Sequence, residues 1–207
     1  RKYMLDELNK NKHIGMLVKP EMQIGYGTAV IDIAVIDDTF YGYEIKSEVD
    51  TLQRLKNQIE TYDKLINKTT VLTCEKHYKK AMELIPDYWG VSIFTNDISG
   101  LIMTKIREPL SNPNRETFAL AQLLWKSELI DLLTKIDAIK GLKYKPKFKL
   151  WREVSSRMEF EQLEPIVINY LRQRDNWENP LKVVKEKKTS CGKKTARTNK
   201  IPGVNVL

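Results

Sequence analysis

Asp32, Glu44 and Lys46 are the residues whose types and spacing best fit a chemical task. Asp32 stands alone in an apolar run, AVIDIAVI, at 29–36. Glu44 and Lys46 lie two apart in YGYEIKSEVD, at 41–50, so on an extended strand they share one face. A lone Asp among apolar neighbours is costly unless it is paired or holds a cation. Two carboxylates and an ammonium brought together supply the parts for hydrolysing a phosphodiester. Carboxylate oxygens hold Mg²⁺, which keeps waters for substrate and nucleophile. The metal lowers the pKa of a bound water, and a lysine beside it offsets charge and positions that water. The alternative for Asp32 is a buried ion pair with a base such as Lys46.

Adjacent strands must bring these three together. The β-prone run 29–36 and the segment FYGYEIKS are joined by the turn DDT, which predicts a hairpin over 29–47. Strict alternation would send Ile31, Ile33 and Val35 to one side and Asp32, Ala34 and Ile36 to the other. Upstream, 3–11 reads as a helix and 15–24 as a strand that Pro20 confines to an edge or bend. Downstream, Asp50 is placed to cap a helix running to about 66, with Leu52, Leu55, Ile59, Tyr62 and Ile66 at helical period. That helix sets Gln58 and Tyr62 on one face, where a solvated Gln and a core aromatic are the plainer readings. A strand at TTVLTC, a helix at 78–85, and strands at WGVSIF and LIMTKI complete the order α-β-β-β-α-β-α-β-β. The expected fold class is therefore α/β. PLSNPN marks a boundary near 110, followed by helical stripes at Leu129–Ile136 and Leu163–Leu171. The expected organisation is a core at 1–110, a helical lobe at 111–180 and a basic tail at 181–207.

IDIAVI followed by YEIKS resembles the PD-(D/E)xK nuclease superfamily, the restriction-endonuclease-like phosphodiesterases. QIETY resembles the Q-x-x-x-Y motif of its RecB-like members, and EIKSEVDTLQRLKNQIETY through PDYWGVSIF is similar to a group of small bacterial and phage members. The likeness covers roughly 15–180. It implies a restriction-endonuclease-like core, αβββαβ, with a mixed sheet flanked by helices. It further implies a Mg²⁺-dependent deoxyribonuclease, with Mn²⁺ able to substitute. In that mapping Asp32, Glu44 and the carbonyl of Ile45 bind metal, and Lys46 positions the water. Gln58 and Tyr62 support the site and contact DNA. Glu21 is the first choice for a fourth acid from upstream and Glu7 the second. Ile31 stands where the superfamily pattern has proline.

The charge of the chain also points to polyanions. Net charge is +8 over 207 residues, and 182–207 alone carries eight Lys/Arg against one acid, Glu186. The segment 140–157 interleaves Lys143, Lys145, Lys147, Lys149 and Arg152 with Tyr144, Phe148 and Trp151. Such a stretch can track phosphates and stack bases. It also reads as a lysine-rich link between two helices whose aromatics pack into the lobe, with Trp125, Trp151 and Trp177 in its core. The two cysteines, Cys74 and Cys191, suggest no disulfide framework, which fits a cytoplasmic setting. Cys74 and His77 lack the second pair that structural zinc requires. No apolar run reaches the roughly 18–20 residues of a membrane helix, and RKYMLDELNK lacks the apolar stretch of a signal peptide. Two other functions fit the same residues: a non-catalytic DNA-binding or adaptor protein on a nuclease fold, and an RNA-cleaving toxin or defence effector. DNA is the expected partner, with its strandedness, RNA and a homodimer left open.

Overall fold

The apolar runs become strands of one sheet, and the parallel steps within it dictate where helices must cross. A computed structural model describes residues 1–98, 100–174 and 177. Its strands, in spatial order equal to chain order, are β1 (Leu17–Ile24), β2 (Ala29–Ile36), β3 (Phe40–Lys46), β4 (Lys68–Thr73), β5 (Gly90–Asp97) and β6 (Gly100–Arg107). The β1–β2, β2–β3 and β5–β6 pairs are antiparallel, whereas β3–β4 and β4–β5 are parallel. Parallel neighbours need a crossover. Helices α2 (Leu55–Tyr62) and α3 (Glu75–Leu84) supply the two required, and α1 (Lys2–Lys10) precedes the sheet. Pro20 lies on the edge strand β1, where a missing N–H is tolerated.

Two apolar layers hold these elements. On one face Met4 of α1 packs with Ile33 and Leu72, joined by Leu5, Leu8, Val18, Tyr43, Ile45 and Phe94. On the other, Leu55, Tyr62 and Ile66 are fully buried, and the Tyr62 ring stacks on Trp89 with centroids 6.0 Å apart. Gly42 is required there. A Cβ at that position would lie 2.5 Å from Ile31 Cδ1 and 3.1 Å from Ile66. Ile31 thus packs toward α2 while Ile33 packs toward α1, so the expected alternation fails between them. The break falls at Asp32, opposite Glu21, whose φ of 52° is left-handed. Around that point the β1–β2 ladder pairs Pro20 with Ile33 and Met22 with Ile31.

The helix expected from Asp50 begins later. Asp50 Oδ2 instead accepts bonds from the N–H (2.8 Å) and hydroxyl (2.5 Å) of Ser47, closing a turn backward. The oxygen that would have capped the helix is spent on that turn, and α2 starts at Leu55.

Beyond 110 the chain forms α4 (Thr117–Ala121), α5 (Lys126–Lys135), α6 (Lys147–Arg157) and α7 (Phe160–Arg172). The basic stretch read as a link contains α6. Leu150, Trp151 and Val154 recur at helical spacing and are buried against α4 and α5, which outweighs the crowding of cations along the same segment. Trp151 is in this core and Trp125 is half-buried beside it. Polar bonds tie these helices to the sheet. Arg172 donates to the carbonyls of Gly15 (2.6 Å) and Asp37 (3.1 Å), and Glu164 accepts from Thr39 and Arg115. The result is an α/β fold with a mixed sheet flanked by helices and followed by a helical region, all within one compact unit, Arg1–Gln173. Arg174–Leu207 is a second unit. The tail at 181–207 lies outside the described residues, and Trp177 belongs to that second unit. Among the described residues no helix is long and apolar enough to cross a membrane.

Candidate functional site

The β2–β3 register and the α2 crossover place Glu44, Lys46, Gln58 and Tyr62 in one buried cluster. Ile33 pairs with Tyr43 and Ala34 with Gly42, so continuing the ladder sets Asp32 against Glu44. Glu44 and Lys46 are 2% and 4% exposed, which rules out a solvated strand face. Lys46 Nζ donates to Glu44 Oε1 at 2.7 Å and to Gln58 Oε1 at 3.0 Å. Gln58 Nε2 donates to the same Glu44 Oε1 at 2.7 Å. Gln58 and Tyr62 reach this point because they are one helical turn apart on α2.

Tyr62 Oη lies 2.7 Å from both Glu44 Oε2 and the Val30 carbonyl oxygen. A phenol has one proton and cannot donate to two acceptors at once. That single proton is shared between the Glu44 carboxylate and the Val30 carbonyl, which ties α2 to both β2 and β3. Burial raises the Glu44 carboxyl above its ordinary value, against the opposing pull of Lys46. Burial likewise raises the Tyr62 phenol, with the Glu44 charge adding to it, so the phenol keeps its own proton.

Asp32 joins the cluster from β2 but bonds elsewhere. Its Oδ2 accepts the backbone N–H of Ile45 at 2.8 Å, and its Oδ1 accepts from Arg1, which also bridges to Glu21. Asp32 is thus paired, with Arg1 rather than Lys46. Glu21 is drawn in only through that guanidinium, and Glu7 pairs with Lys10 on α1. The side chain of Ile45 packs in the apolar layer under α1, and the residue pairs with Leu72 of β4. All four carboxylate oxygens of Asp32 and Glu44 therefore have protein donors. No sequence signal marked Arg1 as the partner of Asp32.

A second constellation is open to solvent. The exposed cations Lys143 and Lys145 precede α6, and Lys149 and Arg152 project from it, while Lys147 is half-buried. Lys147 Nζ sits 5.0 Å from the Trp151 ring centroid and 5.9 Å from that of Tyr26, and Arg152 lies 4.9 Å over Phe148. Tyr26 is the residue that reading by motif passed over. Its signal was the flanking glycines of GYG: all three residues have positive φ, and the turn presents the ring outward.

Residues 2–192 match the model of the family described as Bacteriophage P4 protein cII. Protein cII of Enterobacteria phage P4 is 26% identical over 115 residues, covering 56% of this chain and 44% of that relative. The chain thus matches less than half the length of the curated relative. No solved structure matches. The family match overturns the expected membership of the PD-(D/E)xK superfamily. Among the described residues, no group of three or more His, Cys, Asp or Glu could hold a metal ion. The physical reason is on view in the cluster: the acids expected to bind metal are spent on Arg1, Lys46, Gln58, Tyr62 and the Ile45 N–H. Metal-dependent phosphodiester hydrolysis, the deoxyribonuclease assignment and the Mg²⁺ or Mn²⁺ cofactor are corrected on these grounds.

Proposed function

This chain belongs to the Bacteriophage P4 protein cII family, and from that premise we propose that it is a non-catalytic DNA-binding protein that grips the phosphate backbone along α6. The observation that carries this reading is the set of exposed cations Lys143, Lys145, Lys149 and Arg152, with Lys147 beside them, on and just before one helix. Clustered Lys and Arg bind DNA by displacing its condensed counterions. The buried cluster supports the non-catalytic half of the proposal. Glu44, Lys46, Gln58 and Tyr62 serve as a structural pin between sheet and α2, while Asp32 ties β2 to the Ile45 N–H and to Arg1, which also holds Glu21.

The order α1-β1-β2-β3-α2-β4 supports reading residues 1–110 as a restriction-endonuclease-like core in architecture. Residues 111–180 then act as the DNA-holding lobe, and 181–207 as a basic extension adding non-specific attraction.

The test is fluorescence anisotropy of labelled DNA against the full chain across a salt series, with RNA of the same sequence in parallel. Binding should weaken linearly in log–log form as salt rises. Replacing Lys143, Lys145 and Lys149 together by alanine should lower the slope by roughly 2–3. No DNA binding, or a slope unchanged in the triple variant, defeats the proposal. RNA bound much more tightly than DNA would defeat the choice of DNA.

A further inference from the structure

We propose that the α6 surface takes single-stranded nucleic acid, with exposed bases stacking on Tyr26 and Phe148 while the cations hold the phosphates. This rests on the DNA-binding reading and names the form of nucleic acid it fits. The rings form a row of edge-to-face contacts. Tyr26 meets Trp151 at 5.1 Å and 73°, Trp151 meets Phe118 at 6.3 Å and 86°, and Phe118 meets Phe148 at 5.9 Å and 76°. The middle of the row is inside, with Trp151 only 4% exposed. Its ends are outside, Tyr26 at 72% and Phe148 at 47%. Tyr144, just before α6, is 91% exposed.

Several features make this a surface for bases. Two exposed rings braced from behind by the buried Trp151 and the half-buried Phe118 offer flat apolar faces that lose little freedom on binding. Tyr26 is held outward in a left-handed conformation (φ 58°, ψ 34°), unfavourable for a bulky side chain. That conformation is fixed by Gly25 and Gly27 on either side and by the Thr28 hydroxyl bonded to the Gly25 carbonyl. Arg152 over Phe148 and Lys147 over Tyr26 place cations at both ends of the row. Cation and ring alternate, as phosphate and base alternate along a single strand. The buried Trp151 indole N–H in this row also has no hydrogen-bond partner among the described residues, leaving a polar donor in the same place. In a duplex the bases are already stacked on one another and cannot reach the rings. An acidic peptide would use the cations but leave the rings bare.

The experiment compares labelled oligo(dT) with a duplex of equal length by anisotropy at one salt concentration, using the full chain. A polyglutamate competitor is run alongside. Wild type should bind oligo(dT) about ten-fold or more tightly than the duplex. Tyr26→Ala should lose about ten-fold on oligo(dT) and little on the duplex, and Tyr26→Phe should restore the wild-type value. Circular dichroism melting confirms that each variant is folded. Should Phe148→Ala disturb the α4–α6 packing, the Tyr26 pair still decides the matter. Equal or tighter duplex binding, or Tyr26→Ala binding oligo(dT) like wild type, overturns this inference and leaves the DNA-binding reading standing. Polyglutamate displacing oligo(dT) at equal charge concentration overturns it in favour of an acidic protein partner. Failure to bind either nucleic acid overturns both.

Discussion

Glu44, Lys46 and Tyr62 are buried and bonded together with the half-buried Gln58, whereas Lys143, Lys145, Lys149 and Arg152 carry their charges into solvent. The two regions draw on similar residue types, and burial decides what each can do. Inside the sheet, an unmet charge would cost several kcal/mol, so every acid oxygen of Asp32 and Glu44 has found a donor within the protein. On α6, water screens the cations and little stability depends on them. Their charge remains available to a partner. Satisfied polar groups hold a fold together, while unsatisfied ones at the surface select what binds.

The sharpest way to break this contrast is to remove one member of the buried pair. Lys46→Ala should destabilise the fold by about 3–5 kcal/mol, because Glu44 loses its cation in a site water does not reach. The double variant Glu44→Gln/Lys46→Met should cost less than Lys46→Ala alone, since no charge is left stranded. Urea unfolding of the three proteins decides it. If Lys46→Ala unfolds at the wild-type midpoint, the cluster is not the pin described here.

How far the sequence revealed these regions follows the same division. Periodicity placed all six strands and the helices α1 to α3, because burial on alternate or 3.6-period positions writes itself into residue type. Residue type and spacing named Asp32, Glu44 and Lys46, the motif resemblance added Gln58 and Tyr62, and the fold does bring the five together. What spacing did not carry was the bonding among them. Arg1 reaches Asp32 from 31 residues away, and nothing local to either residue encodes that contact. The chemistry inferred from matching motifs assumed free carboxylates, and the pairing that removes them is tertiary. Helix α6 was obscured for a different reason. Its cations dominate the composition of 140–157, while only Leu150, Trp151 and Val154 carry the apolar signal. The left-handed Asp137 and Gly141, which turn the chain between α5 and α6, were likewise silent in periodicity.

Titration sharpens the comparison along β3 and the turn that follows it, because Glu44 and Asp50 are shifted in opposite directions. Burial raises Glu44, so the folded state keeps its proton to higher pH than the unfolded chain, which titrates near 4.5. Folding takes up that proton in the window above 4.5, and the Glu44 contribution to stability falls as pH rises through it. Asp50 is lowered, first by the Ser47 hydroxyl and then by the Ser47 N–H. Its contribution is present above the ordinary value of 3.8 and is lost as pH falls through the depressed one. Glu44→Gln should therefore flatten a decline of stability above pH 4.5. Asp50→Asn should cost about 0.5–1 kcal/mol near neutrality and nothing in strong acid. Unfolding free energies measured from pH 3 to 7 separate the two. Parallel curves for wild type and both variants would contradict the bonding assigned to each carboxylate.

The smallest stability effect belongs to the open surface. Lys149→Ala removes an exposed charge from a helix whose buried side, Leu150, Trp151 and Val154, is untouched. Alanine also has the higher helix propensity. The change in unfolding free energy should stay within about 0.5 kcal/mol. Leu150→Ala, one residue along the same helix, should cost about 2–5 kcal/mol by opening a cavity where Leu150 is now fully buried. Chemical denaturation of this adjacent pair tests the division within a single helical turn. If Lys149→Ala costs as much as Leu150→Ala, the cations of α6 are part of the packing, and the surface is not free to serve a polyanion.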